Sequence, residues 1–267
     1  MPVKYLDLQI DLPPWRPSGE VVREFLDLIL LKYRWFEPRR YGSAALDKAI
    51  EPSRIDLAPL VAHYEEHRSL CVAARTDRTF IWFSPILPSS PFTYAGSISW
   101  MTSVSTAAKA TWRESFAPQV AELMRLVQSP LALAGLEKDI EGKQRRRVHK
   151  SIPTEEGAFT YSEDEFTVRD YSEGLPGLVW RNFYGPPFVR MFGQRFAALP
   201  TECHKRLGED IVLVQPYELP TDAGTETGIA RERELISLLG PECFYDHEHR
   251  TLPTRRPVLD SLGQPLH

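Results

Sequence analysis

LPGLVWRNFYGPPFVRMFG, residues 175–193, is the stretch from which the fold is read. Within it, GLVWRNFYG at 177–185 reads as a strand. Alternation places Leu178, Trp180, Asn182 and Tyr184 on one face and Val179, Arg181 and Phe183 on the other. Both faces are partly apolar, so the strand belongs in the middle of a sheet, where the Asn182 amide needs hydrogen-bond partners. Gly185, Pro186 and Pro187 then force a sharp exit into a helix carrying Phe188, Met191 and Phe192. Proline at a helix start loses no intrahelical bond, because that N–H has no partner in any case. Trp180, Asn182, Tyr184, Gly185, Pro186 and Phe188 are therefore a structural signature, setting strand–turn–helix geometry rather than carrying chemistry.

Immediately upstream, residues 155–173 hold seven acids, Glu155, Glu156, Glu163, Asp164, Glu165, Asp170 and Glu173, against one base, Arg169. AFTYS and EFTVRDY within this stretch read as strands. Like charges at this density repel. The plain interpretation is a solvated face. The functional one is a landing surface for a basic partner, with Phe159, Tyr161, Phe166 and Tyr171 supplying anchors that charge alone does not. Before it, KQRRRVHK at 143–150 is basic but has no interleaved aromatics, and reads as a solvated helix end.

Further out, residues 4–10 alternate as a strand. Ser18 caps a helix with Val22, Phe25, Leu26, Ile29, Tyr33 and Phe36 on its apolar face, stopped by Pro38. A second helix is predicted over 56–67. LCVAAR at 70–75 and TFIWFS at 79–84 read as a hairpin turning at Thr76 and Asp77, SPILPSSPF at 84–92 as a loop, and 95–101 as a strand. A third helix carries Trp112 to Val127, frayed or restarted at Pro118. LALAGLEK at 131–138 is open between strand and helix. Asp210 to Tyr217 reads as a strand, and the last helix stops at Gly240-Pro241.

Strands cluster rather than alternating with helices, which predicts an α+β fold: mixed or antiparallel sheet with amphipathic helices packed on it. The expected organisation is one compact unit over 1–267, with subregions 1–140 and 155–250 and a surface tail at 251–267. The 267 residues are enough for a full core, and the net charge of -4 argues against nucleic acid as a partner. Cys71, Cys203 and Cys243 are odd in number and widely spaced, arguing against a disulfide framework or a thiolate metal site. The N-terminus lacks the apolar core of a signal peptide. FLDLILL at 25–31 is too short to cross a bilayer, so no membrane association and a cytoplasmic location are expected.

Few patterns suggest catalysis. HYEEH at 63–67 matches the H-x-x-E-H arrangement, in which His63 and His67 share a metal and Glu66 activates water. A solvated helix face fits as well. In YDHEH at 245–249, His247 and His249 would share one face of a strand, without a third ligand; a polar loop after the last helix is the plainer interpretation. AGSISW at 95–100 has Trp100 where a nucleophile elbow needs glycine, and no phosphate-binding glycine loop exists. No catalytic residue, metal or cofactor is expected.

The block WRNFYGPPF within 175–193 resembles the W-x-N-[YF]-[YF]-G-P-[PA]-[YF] pattern of bacterial immunity proteins. With a strand and amphipathic helix first and this block in the second half, the layout is similar to immunity protein family 52. The resemblance covers roughly the C-terminal third with some specificity. It implies a cytoplasmic inhibitor of a polymorphic toxin, typically a nuclease delivered by type VI secretion, and it implies no catalytic residues. The expected partner is therefore a basic protein toxin; nothing supports a homo-oligomer. Two other functions fit: a metal-dependent hydrolase using HYEEH, and an effector-binding adaptor or chaperone.

Overall fold

A computed structural model describes residues 4–259 except 44, 77, 86–95, 155–156, 167–170 and 172, with the backbone alone described over 146–154 and 158–166. Among the described residues, ten strands form one antiparallel sheet: β1 (Tyr5–Asp11), β2 (Arg40–Gly42), β3 (Lys48–Ala49), β4 (Leu70–Ala73), β5 (Phe80–Ser84), β6 (Ser97–Ser103), β7 (Leu131–Leu136), β10 (Arg181–Tyr184), β11 (His204–Arg206) and β12 (Val212–Val214). Their order is β11-β12-β10-β7-β1-β6-β5-β4-β2-β3. The remaining two, β8 (Arg145–Thr154) and β9 (Gly157–Phe166), form a separate two-stranded sheet. The α+β expectation is borne out.

Helices cover both faces. α1 (Gly19–Leu26), α2 (Ala58–His67) and α3 (Ala110–Leu126) pack on one face over Leu6, Leu8, Ile10, Ile81, Phe83, Ile98, Trp100 and Phe183. α4 (Glu137–Gln144), α5 (Pro186–Phe192) and α6 (Glu226–Leu239) pack on the other, over Leu131, Leu133, Tyr184, Val212 and Val214. The strands that carry helices on both faces, β7, β10 and β12, are buried on both faces.

Several elements differ from expectation for identifiable reasons. Ser18 caps α1 by accepting from the Val21 N–H, but the first helix continues as a π-helical stretch, Asp27–Lys32, and ends before Phe36. Arg34 takes a left-handed conformation (φ 52°), and the Trp35 N–H reaches back to the Ile29 carbonyl at 2.9 Å. This six-residue closure ends the helix before Pro38 can. α3 runs unbroken through Pro118 because the turns around it are fixed by buried Phe116, Ala117, Val120 and Ala121. LALAGLEK resolves into both options, β7 and then the first residues of α4. The basic run is a helix end only over Lys143 and Gln144, which close α4; from Arg145 it is strand β8.

The 175–193 block is more compact than its pattern suggested. β10 begins only at Arg181, so Trp180 lies outside the alternation and packs with Phe183 on the α3 side, while Asn182 and Tyr184 face α5. Gly185 is required by close approach: a Cβ there would lie 2.6 Å from the Ser129 carbonyl oxygen.

Candidate functional site

The site is built from β1 outward. Leu6, Leu8 and Ile10 point into the core beneath α1, which puts Asp7, Gln9 and Asp11 on the opposite face. These three polar residues hold the roots of the β8–β9 hairpin. Gln9 donates to Asp7 Oδ2 at 2.8 Å, and Gln144, the last residue of α4, donates to Gln9 Oε1 at 2.8 Å. Residue 145 then opens β8. After β9, the Tyr171 hydroxyl donates to Asp11 Oδ2 at 2.6 Å. Both ends of the hairpin are thus pinned to one strand of the main sheet. Among the described residues, β8 and β9 pack along each other far more than against any other element. The hairpin is an arm.

Asp7 is 5 % exposed, and its Oδ1 has no hydrogen-bond partner among the described residues. Burial pushes its pKa up from 3.8 to about 7; the hydrogen bond from Gln9 opposes this rise, while nearby Glu137 and Glu141 add to it. On the other side of α4, Lys143 bridges Asp139 and Glu232, each at 2.9 Å, and Tyr217 donates to Glu232 at 3.1 Å. This network ties the helix that feeds the arm to α6. The sequence reading missed Asp7, Gln9, Asp11 and Gln144. The polar alternation of β1 was the available signal for the first three.

The acidic residues fall in three places. Glu155, Glu156 and Asp170 lie outside the described residues. Glu163, Asp164 and Glu165 lie on β9 with Tyr161 and Phe166, and the register sets Glu165 opposite Arg146, Asp164 opposite Arg147, and Tyr161 opposite Lys150. The acidic run and the basic run, read separately in sequence, are cross-strand neighbours. Tyr171 requires a correction: it is 1 % exposed and packs edge-on to Phe188 with ring centroids 5.0 Å apart, so it anchors the arm and is not a surface anchor for a partner. Glu173 follows it, half-buried.

The signature residues are all architectural. Asn182 is fully buried; its Oδ1 accepts from the Val179 N–H at 3.0 Å and its Nδ2 donates to the carbonyls of Val179 (2.8 Å) and Val214 (3.1 Å). It stitches the bend before β10 to β12. Asn182→Ala strands all three backbone groups in a dry core and is expected to cost about 3 kcal/mol, read as a lowered urea midpoint at constant slope.

The histidine motifs do not assemble a metal site. Lys48 Nζ donates to His63 Nδ1 at 3.1 Å, which leaves Nε2 protonated and donating to Ser43 Oγ at 3.0 Å. Neither nitrogen keeps a lone pair for a metal, and burial, Lys48 and His67 lower the His63 pKa. YDHEH forms the polar turn after the last helix and not a strand pairing two ligands: His247 donates to the Pro176 carbonyl at 2.7 Å, while His249 pairs with Asp246 at 2.7 Å. Among the described residues no group of three or more His, Cys, Asp or Glu is arranged to hold a metal, and no helix is long and apolar enough to cross a membrane.

No family model and no curated protein matches the chain, so the likeness to immunity protein family 52 rests on WRNFYGPPF and the layout alone. Among solved structures, the chain is similar to Pseudomonas aeruginosa T6SS protein PA0821, with a TM-score of 0.55 at 10 % identity over 99 % of this chain and 76 % of that one. At that identity the similarity is one of fold.

Proposed function

We propose that this chain is a non-catalytic binding protein of a type VI secretion system, an immunity protein that neutralises a cognate antibacterial toxin of basic, nuclease-like surface. The observation that carries this is the arm: a ten-residue-pair hairpin, rooted at both ends on the main sheet and packed against little else. A rigidly rooted projection that adds little to the core is suited to contacting another protein. The fold likeness to a T6SS protein and the likeness of 175–193 to immunity proteins support the same assignment.

The arm changes how the acidic residues must be tested. Replacing Glu163, Asp164 and Glu165 together by lysine sets like charges opposite Arg146 and Arg147, so the arm itself is destabilised. A charge swap separates the two effects: Asp164→Lys and Glu165→Lys combined with Arg146→Glu and Arg147→Glu. The triple variant is expected to weaken toxin binding by at least tenfold. The swap keeps cross-strand complementarity and is expected to bind as poorly, because the partner meets reversed charges. A swap that protects toxin-expressing cells as well as the parent would remove the charge from the recognition. A complex in which the toxin stays active would identify an adaptor instead.

A further inference from the structure

We propose that the outer edge of β9 is a strand-addition site for an extended, basic segment of the partner protein. The proposal rests on the binding-protein assignment above only for who supplies that segment.

Among the described residues the β8–β9 sheet has two strands and no third. A two-stranded ribbon is marginally stable in water, and a third strand converts it into a sheet. Its two outer edges are not equivalent. β8 contains Pro153, set opposite Ala158. Proline fits a ladder only where its missing donor faces away from the neighbouring strand. Position 153 therefore turns its nitrogen to the outer edge of β8 and leaves a gap there, a device that blocks pairing on that side. β9, GAFTYSEDEF, contains no proline. Residues opposite one another alternate between facing inward and outward. In phase with the 153–158 pair, Ala158, Thr160, Ser162, Asp164 and Phe166 therefore present backbone N–H and C=O groups to the outer edge of β9, a complete row over ten residues.

Charge selects the occupant. Glu163, Asp164 and Glu165 are consecutive on β9, and on its inner side the register already meets them with Arg147 and Arg146. A strand on the outer side has the same acids as nearest neighbours, and β8's bases stand one strand further away. Opposite charges in adjacent strands stabilise and like charges destabilise. A basic segment gives alternating signs across three strands. Main-chain bonds supply affinity in this mode, and side-chain register supplies specificity.

The test uses the full chain and two peptides, an alternating Lys-Val octamer and its Glu-Val twin, followed by fluorescence anisotropy and amide hydrogen exchange. The Lys-Val peptide is expected to bind at least tenfold more tightly than the Glu-Val peptide and to slow exchange at Thr160, Ser162 and Asp164. Thr160→Pro combined with Ser162→Pro is expected to weaken binding at least tenfold. Ser151→Pro, in the same phase on β8, is expected to leave it unchanged. Equal binding of both peptides, no binding, protection elsewhere, or equal loss in the β8 variant would each overturn the proposal, as would a dimer of the chain alone formed through β9. Toxin protection is scored separately on the same variants. Protection retained by the β9 variant removes the edge and leaves the immunity assignment standing; peptide binding to a parent chain that protects no cells removes the immunity assignment and leaves the edge.

Discussion

Trp180→Ala is expected to lower the unfolding free energy by about 3–5 kcal/mol. The side chain is fully buried between β10 and α3, with its ring 6.4 Å from Trp112 and 6.2 Å from Phe116, both stacked. The cavity left by alanine is walled by other rings and by the sheet, which cannot collapse into it. Two further losses follow. The indole N–H donates to the Glu218 carbonyl at 2.8 Å, and that acceptor is left with one partner fewer. The Arg181 guanidinium lies 4.3 Å above the indole and is itself only 5 % exposed. Burial, and secondarily Arg113, already pull the Arg181 pKa down to about 10. Without the ring, this charge keeps Gln215 (2.9 Å), the Arg113 carbonyl (2.8 Å) and the more distant Phe116 ring (5.8 Å). Urea unfolding followed by circular dichroism measures the effect. A loss under about 1.5 kcal/mol would mean that the site collapses and that the aromatic stack does not hold α3 to β10.

The second large effect depends on pH. In the folded chain Asp7 titrates at about 7, against 3.8 when unburied. Between these values the folded state binds the proton and the unfolded state does not. The protonated carboxyl thus favours folding fully below about pH 4, and this contribution is lost as pH rises through 7. The rise from 3.8 to about 7 corresponds to about 4 kcal/mol, an upper figure because relaxation and water entry reduce it. Asp7→Asn removes the titration while its amide oxygen still accepts from Gln9. The variant is expected to match the parent near pH 4.5 and to exceed it at pH 8 by about 2–4 kcal/mol, a melting-temperature gain of roughly 5–10 °C. Parallel stability–pH curves for the two proteins would show that Asp7 is not the buried titrating group. Gln9 links Asp7 to the hairpin root, so the same variant is also expected to slow amide exchange at the base of the arm at pH 8.

The sequence was most legible where one face alone is buried. β4, β5 and β6 alternate because helices cover them on one side, and α2 and α6 fall where apolar spacing and the Gly240-Pro241 stop place them. Buried Asn182 announced its need for partners by its position among apolar neighbours. What stayed hidden depends on distant contacts. Nothing local shows that Arg34 will take a left-handed conformation and end the first helix, or that Pro118 will be carried through by packing on either side. The basic run at 143–150 and the acids of 163–165 read as two unrelated features because each was weighed alone. Pairing them as facing strands requires the register, which neither segment shows alone. Tyr171 looked like one aromatic among acids. Its burial depends on Phe188, seventeen positions later, and its hydrogen bond on Asp11, at the other end of the chain.

Titration of the purified chain against a secreted antibacterial effector that kills cells lacking the chain, with effector activity followed in the same samples, tests the proposed function most directly. A one-to-one complex that silences the effector, and that weakens at least tenfold when β9 carries Thr160→Pro and Ser162→Pro, is the predicted result. An effector that remains active at saturating chain, or that forms no complex, would contradict it.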